Sequence, residues 1–190
     1  MARAVEKCGG IPKVTRNPED IIHQSNRIIL PGVGSFAQAM QNLTNWGLAA
    51  AISHAVKNDR KPLLGVCLGM QLLAHRGAEG GESDGLKLIP AEVKNLIAQA
   101  KNERIPHIGW NEVIQQKWSP LLKGIPNNKD FYFVHSFHVA CEDKEIVSAR
   151  TPYCGSFVSV IGMDNVFGTQ FHPEKSQKDG FQVIKNFLEL

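Results

Sequence analysis

The chain has 190 residues, of which 43% are hydrophobic and 21% charged, with a formal net charge of +3. That length can bury the core of one domain, residues 1–190, without disulfide or metal support, and the composition excludes a disordered or fibrous polymer. The positive charges are scattered, without a basic run or helical stripe, which argues against a nucleic-acid binder.

In chain order, Ala2 to Lys7 reads as the end of a helix stopped by Gly9-Gly10, and Ile11 to Thr15 as a short strand. Arg27 to Leu30 is a stronger strand and runs into the loop Pro31-Gly32-Val33-Gly34. Ser35 can cap a helix to about Leu43, and a second helix spans Leu48 to Asn58. Lys61 to Val66 is a strand, followed by a helix from Leu68 to about His75. This alternation predicts an α/β fold with a mostly parallel central sheet flanked by helices. After the Gly/Glu-rich loop Gly77 to Gly85, the pattern changes. Leu86–Ile89, Glu112–Ile114, Phe131–Val139, Glu145–Ala149, Phe157–Ile161 and Val166–Phe171 all read as strands. Short turns between several of them predict an additional antiparallel portion. Phe181 to Leu188 is apolar at helical spacing and should close one face.

Four cysteines, Cys8, Cys67, Cys141 and Cys154, lack metal-ligand spacing. No secretory leader pattern or stretch of membrane-span length is visible, so the expectation is a cytoplasmic protein with no metal, cofactor or membrane contact. Cys8, Cys141 and Cys154 read as small packed side chains. Cys67 is different. It sits in Gly65-Val66-Cys67-Leu68-Gly69-Met70-Gln71, where a strand gives way to a helix and glycines flank it two positions away on either side. That pattern describes a nucleophile elbow, with the thiolate favoured at a helix N-terminus. Alone, it also fits a tight turn around a buried thiol.

A thiol nucleophile needs a base, and the base needs an orienting group. His172 and Glu174, in Phe171-His172-Pro173-Glu174, are two apart, so on extended backbone both side chains share a face. A surface salt bridge is the plainer explanation of that pair. Gly32 and Val33, with the N–H of Leu68, are candidate oxyanion donors, although Pro-Gly-Val-Gly can simply be a turn.

Together these segments resemble the class I (triad) glutamine amidotransferases. Leu30 to Phe36, Pro106-His107-Ile108-Gly109-Trp110-Asn111, Tyr132 to Ser136 and Gln170 to Ser176 are similar, more narrowly, to the glutaminase subunits of imidazole glycerol phosphate synthase. The resemblance implies glutamine hydrolysis through a thioester on Cys67, with His172 as acid and base and Glu174 orienting it. It also implies that Gln71 and Glu79 hold the amino-acid end of glutamine, and that Ser136 and Phe137 contact it through main chain. Phe137 stands where the family carries tyrosine. Trp110, Asn111, Tyr132 and Lys175 fall on the side facing a (β/α)8-barrel cyclase. In the family that heterodimer partner receives the ammonia for histidine biosynthesis.

Family members open with a strand and a Tyr-Gly-x-Gly-Asn loop that have no counterpart here, since Met1 falls inside the first helix. Three or four buried aliphatic residues there would contribute on the order of 5–10 kcal/mol. The expectation is therefore an internal methionine taken as the start, or a truncated chain. Other functions consistent with the sequence are an amidotransferase feeding ammonia to a sugar for surface polysaccharide, and a non-catalytic partner-binding module. A peptidase of similar fold suits Gln71 and the His-x-Glu pair less well.

Overall fold

The structure is a computed structural model that describes residues 1–141 and 143–190. Helix α1 (Ala2–Lys7) leads through an irregular stretch to strand β1 (Ile28–Gly32), then to helices α2 (Phe36–Asn45) and α3 (Leu48–Lys57). Strand β2 (Leu63–Cys67) passes directly into α4 (Leu68–Leu72). The short strands β3 (Arg76–Gly77) and β4 (Ser83–Asp84) are followed by β5 (Ala91–Asn95), β6 (His107–Gln115), β7 (Lys129–His135) and β8 (Phe137–Cys141). Strands β9 (Val147–Thr151), β10 (Phe157–Met163) and β11 (Val166–Thr169) then precede the closing helix α5 (Gln177–Leu188).

Seven strands form one sheet in the order β1-β2-β11-β10-β9-β6-β7, and β4-β3-β5-β8 form a second. In the first sheet, β1, β2 and β11 are parallel. The other neighbouring pairs are antiparallel, which supplies the expected second portion. All five residues of β2 are buried because both faces of the sheet are covered. Alternation splits their side chains: Leu63 faces a core with α2, α3 and α4, and Leu64 and Val66 face an aromatic core under α5. In that second core Phe131 stacks on Phe171 with ring centroids 4.1 Å apart.

Several expectations need correction. Ile11–Thr15 is not a strand; no neighbouring strand among the described residues offers it a ladder. Ile11 and Val14 point into solvent, while Lys13 and Thr15 tether the segment to Asp20 at 2.9 and 2.6 Å. Leu86, Leu88 and Ile89 are buried, but Leu86–Ile89 is also not a strand. Its N–H groups bond the carbonyls of Leu72, Leu73 and Ala74, left free where α4 ends, so the run caps a helix rather than joining a sheet. The expected strand Phe131–Val139 breaks at Ser136 into β7 and β8, which belong to different sheets. Helix α4 stops at Leu72, short of His75, and β5 lies where no strand was foreseen.

Helix α4 approaches the parallel strands very closely. A Cβ on Gly69 would overlap the carbonyl oxygen of Leu30 in β1, and one on Gly65 would overlap the backbone of Gly69 and Met70. Gly69→Ala should therefore cost about 3 kcal/mol or more, above the ordinary range for overpacking because the obstruction is backbone. Urea denaturation would read this as a midpoint shift against Ser53→Ala, a change on the half-buried side of α3.

Candidate active site

The turn from β2 to α4 gives Cys67 a backbone φ of 53° and ψ of −111°. A side chain bearing a Cβ adopts this region at a cost of order 1–3 kcal/mol, and it persists only where packing on both sides enforces it. Here the two glycine contacts of α4 supply that packing. The thiol lies 3.8 Å from the carbonyl oxygen of Val134 and receives the side-chain amide of Gln170 at 3.7 Å.

Strand β11 runs parallel to β2, with Thr169 opposite Val66, so the chain leaving β11 passes the end of β2 where Cys67 sits. His172 is anchored there by its N–H to the Tyr132 carbonyl at 2.9 Å. Its own carbonyl accepts the Ser176 hydroxyl at 2.7 Å, and that same hydroxyl oxygen accepts the Tyr132 N–H at 3.0 Å. His172 Nδ1 lies 2.9 Å from Glu174 Oε1. The pair meets through a short 3-10 turn, Pro173–Lys175, and not along an extended strand as the i, i+2 spacing suggested.

With Nδ1 engaged by the carboxylate, Nε2 is the nitrogen directed at the sulfur. Nε2 is buried and forms no hydrogen bond, and the Cys67 thiol acts on the ring electrostatically. Burial opposes the imidazolium, but Cys67 and Glu174 together outweigh it and push the His172 pKa up to about 9. Burial likewise opposes the Glu174 carboxylate, and the bond to His172 holds it below its ordinary value.

A cavity of about 440 Å³ opens on the thiol. Of the residues expected at the site, Val33, Cys67, Leu68, Gln71, Glu79, Ser136 and Phe137 share its walls. Gly32, His172 and Glu174 do not; Gly32 sits within β1 opposite Cys67, where a Cβ would press on the Leu68 side chain. Burial raises the Glu79 pKa, and its carboxylate accepts the Phe36 N–H, which partly offsets this. Gln71 donates to the Phe137 carbonyl at 2.8 Å and to Gln170 Oε1 at 3.2 Å. A hollow of about 540 Å³ against α2 and α3 holds none of these groups.

Of the residues expected to face a partner, Trp110 on β6, Tyr132 on β7 and Lys175 on the 3-10 turn form a cluster. Trp110 pairs in register with Tyr132, their ring centroids 6.1 Å apart, and Lys175 places its ammonium 5.6 Å from the Tyr132 ring. Trp110 and Ile108, two apart on β6, are both exposed. Asn111 points the other way and bonds His107.

The sequence reading missed Gln170, which is wholly buried between the thiol and Gln71. A signal existed, since Gln170 lies two residues before His172, a spacing that returns to the same face of an extended chain. It also gave no role to His107 and His135, which contact each other beneath the cavity.

A thiol on a strained strand-to-helix turn, beside a carboxylate-bound imidazole at the end of parallel strands, is the arrangement of a cysteine-nucleophile α/β enzyme. The chain belongs to the class-I glutamine amidotransferase family, whose model matches residues 1–190. It is 47% identical over 190 residues to imidazole glycerol phosphate synthase subunit HisH 1 of Campylobacter jejuni (strain RM1221), covering 100% of this chain and 93% of that one. The Moorella thermoacetica subunit HisH is 46% identical, with 100% and 88% covered. Among solved structures, one described as a glutamine amidotransferase superposes with a TM-score of 0.73 at 19% identity, covering 98% of this chain and 89% of that one. At that identity the likeness speaks for the fold.

If Glu174 holds the imidazolium, Glu174→Gln should lower the His172 titration midpoint from about 9 toward the ordinary value near 6.5. The sign follows from removing a negative charge that favours the protonated ring. Imidazole NMR titration of the folded protein reads it directly.

Proposed function

We propose that the chain is the glutaminase subunit of an imidazole glycerol phosphate synthase, working as one domain over residues 1–190 in the cytoplasm. The observation that carries this reading is the strained Cys67 elbow beside an imidazole that Glu174 holds at 2.9 Å. Cys8, Cys67 and Cys154 are free thiols, which suits a reducing compartment.

Glutamine enters with its side-chain amide over the thiol and its amino-acid end toward Gln71 and Glu79, with the Ser136–Phe137 main chain alongside. The Cys67 thiolate attacks the amide carbon, and the oxyanion that forms is met by the N–H groups of Leu68 and Val33, both in the cavity wall. His172, as imidazolium, gives its proton to the departing nitrogen; ammonia leaves and a glutamyl thioester remains. Water then attacks the thioester while His172 takes its proton. Glutamate departs, and the thiolate and imidazolium are restored. One glutamine and one water thus yield one glutamate and one ammonia.

The cluster of exposed Trp110 and Lys175 with half-buried Tyr132 is the docking face for a (β/α)8-barrel cyclase, which consumes the ammonia. Trp and Tyr are typical anchors of protein interfaces.

With the cyclase subunit and its nucleotide ligand present, the protein should release glutamate from glutamine. Cys67→Ala should reduce that rate by about a thousandfold or more. A variant that retains the rate would overturn the thioester route. Trp110→Ala should weaken binding of the cyclase subunit roughly tenfold or more, measured by calorimetry. Glutamate release that is indifferent to the cyclase would point to another ammonia acceptor.

A further inference from the structure

Beneath the cavity, a row of hydrogen bonds runs from β6 to the thiol. Asn111 Nδ2 lies 3.3 Å from His107 Nε2, and His107 Nδ1 lies 3.2 Å from His135 Nε2. His135 Nδ1 reaches the Phe137 carbonyl at 2.8 Å, the same oxygen that accepts from Gln71 at 2.8 Å. Gln71 continues to Gln170, and Gln170 to the Cys67 sulfur.

The direction of every link is determined. Asn111 Oδ1 accepts the Glu112 N–H at 2.9 Å, which leaves the amide nitrogen for His107. An amide nitrogen only donates, so His107 Nε2 accepts and its proton is on Nδ1. His135 must then accept on Nε2 and carry its proton on Nδ1, which is what the Phe137 carbonyl requires. Packing holds the ring planes: His107 stacks on Tyr153 at 4.0 Å, and His135 meets Phe157 edge-on at 4.7 Å. Burial keeps both rings neutral, with pKa values pushed down to about 4 for His107 and about 3 for His135.

We infer that His107 and His135 are positioning residues for glutamine: as a neutral pair in one fixed tautomeric order, they hold the Ser136–Phe137 main chain in the cavity and tie it to Asn111 on β6. This rests on the proposed function, in which residues 136–137 contact the substrate. Neither ring has a hydrogen bond to Cys67 or His172. The pair works in a single order because an amide donor begins it and a carbonyl that lines the cavity ends it.

The test begins with long-range imidazole ¹⁵N spectra of the whole chain at pH 7. Both rings should be neutral and protonated on Nδ1; either ring found charged, or protonated on Nε2, overturns the inference. Asn111→Asp then places an acceptor of the same shape where the amide donated, which forces His107 to reverse its tautomer or to charge. At saturating cyclase subunit the glutamine KM should rise roughly tenfold, the scale of one lost net hydrogen bond, with a smaller change in kcat. His135→Leu should raise KM similarly. His135→Asn, whose amide can still donate to the Phe137 carbonyl, should recover most of the loss. An unchanged KM in Asn111→Asp, or equal defects in the two His135 variants, overturns the inference. If His135→Leu does not fold, the spectra and Asn111→Asp decide. Wild-type protein that releases no glutamate would instead overturn the proposed function, leaving the tautomer result to stand by itself.

Discussion

Helix α4 lies so close to strands β1 and β2 that only glycine fits at positions 65 and 69, and this contact fixes where the Cys67 sulfur can be. The strained backbone of residue 67 has no support of its own. It is held on one side by a strand buried on both faces and on the other by a five-residue helix pressed against β1. Relaxing either contact would let residue 67 return to an ordinary conformation and carry the thiol away from the cavity. The short helix is in turn fixed at its far end by Leu86–Ile89, whose N–H groups take the carbonyls it leaves free.

The change in strand direction places the rest of the site. Strands β1, β2 and β11 end at the same side of the sheet, so the turn after β1, the elbow after β2 and the histidine after β11 converge there. Sites at the carboxyl ends of parallel strands are the general rule for open α/β sheets. The antiparallel strands bring the opposite wall. Because β7 and β8 separate at Ser136 and join different sheets, the main chain at 136–137 crosses the gap between the sheets beside the thiol. A continuous strand through Phe131–Val139 could not do so.

Local chemistry made part of this legible in the sequence. Cys67 stood out because its glycines are a steric requirement expressed within five residues, and His172 with Glu174 because both partners are close in the chain. The parallel and antiparallel portions followed from the alternation of apolar runs. Legibility failed where a contact is assembled from afar. Gln170 meets a sulfur 103 positions away, and His107 and His135 are 28 apart. Apolar runs also misled in two ways. Ile11–Thr15 has strand-forming residues but no neighbour to pair with, and Leu86–Ile89 satisfies its backbone at a helix end. Propensity speaks to what a segment can bury, and the ladder it needs lies elsewhere.

The neutral imidazoles of His107 and His135 also set a limit on acid tolerance. Below about pH 6.5 the unfolded chain takes up protons on both rings, while the folded chain resists until about 4 for His107 and about 3 for His135. Between those values the unfolded state binds more protons, so folding weakens as pH falls and is unaffected by these rings above 6.5 or so. A framework that steadies the cavity at neutral pH is thus a point of entry for acid denaturation.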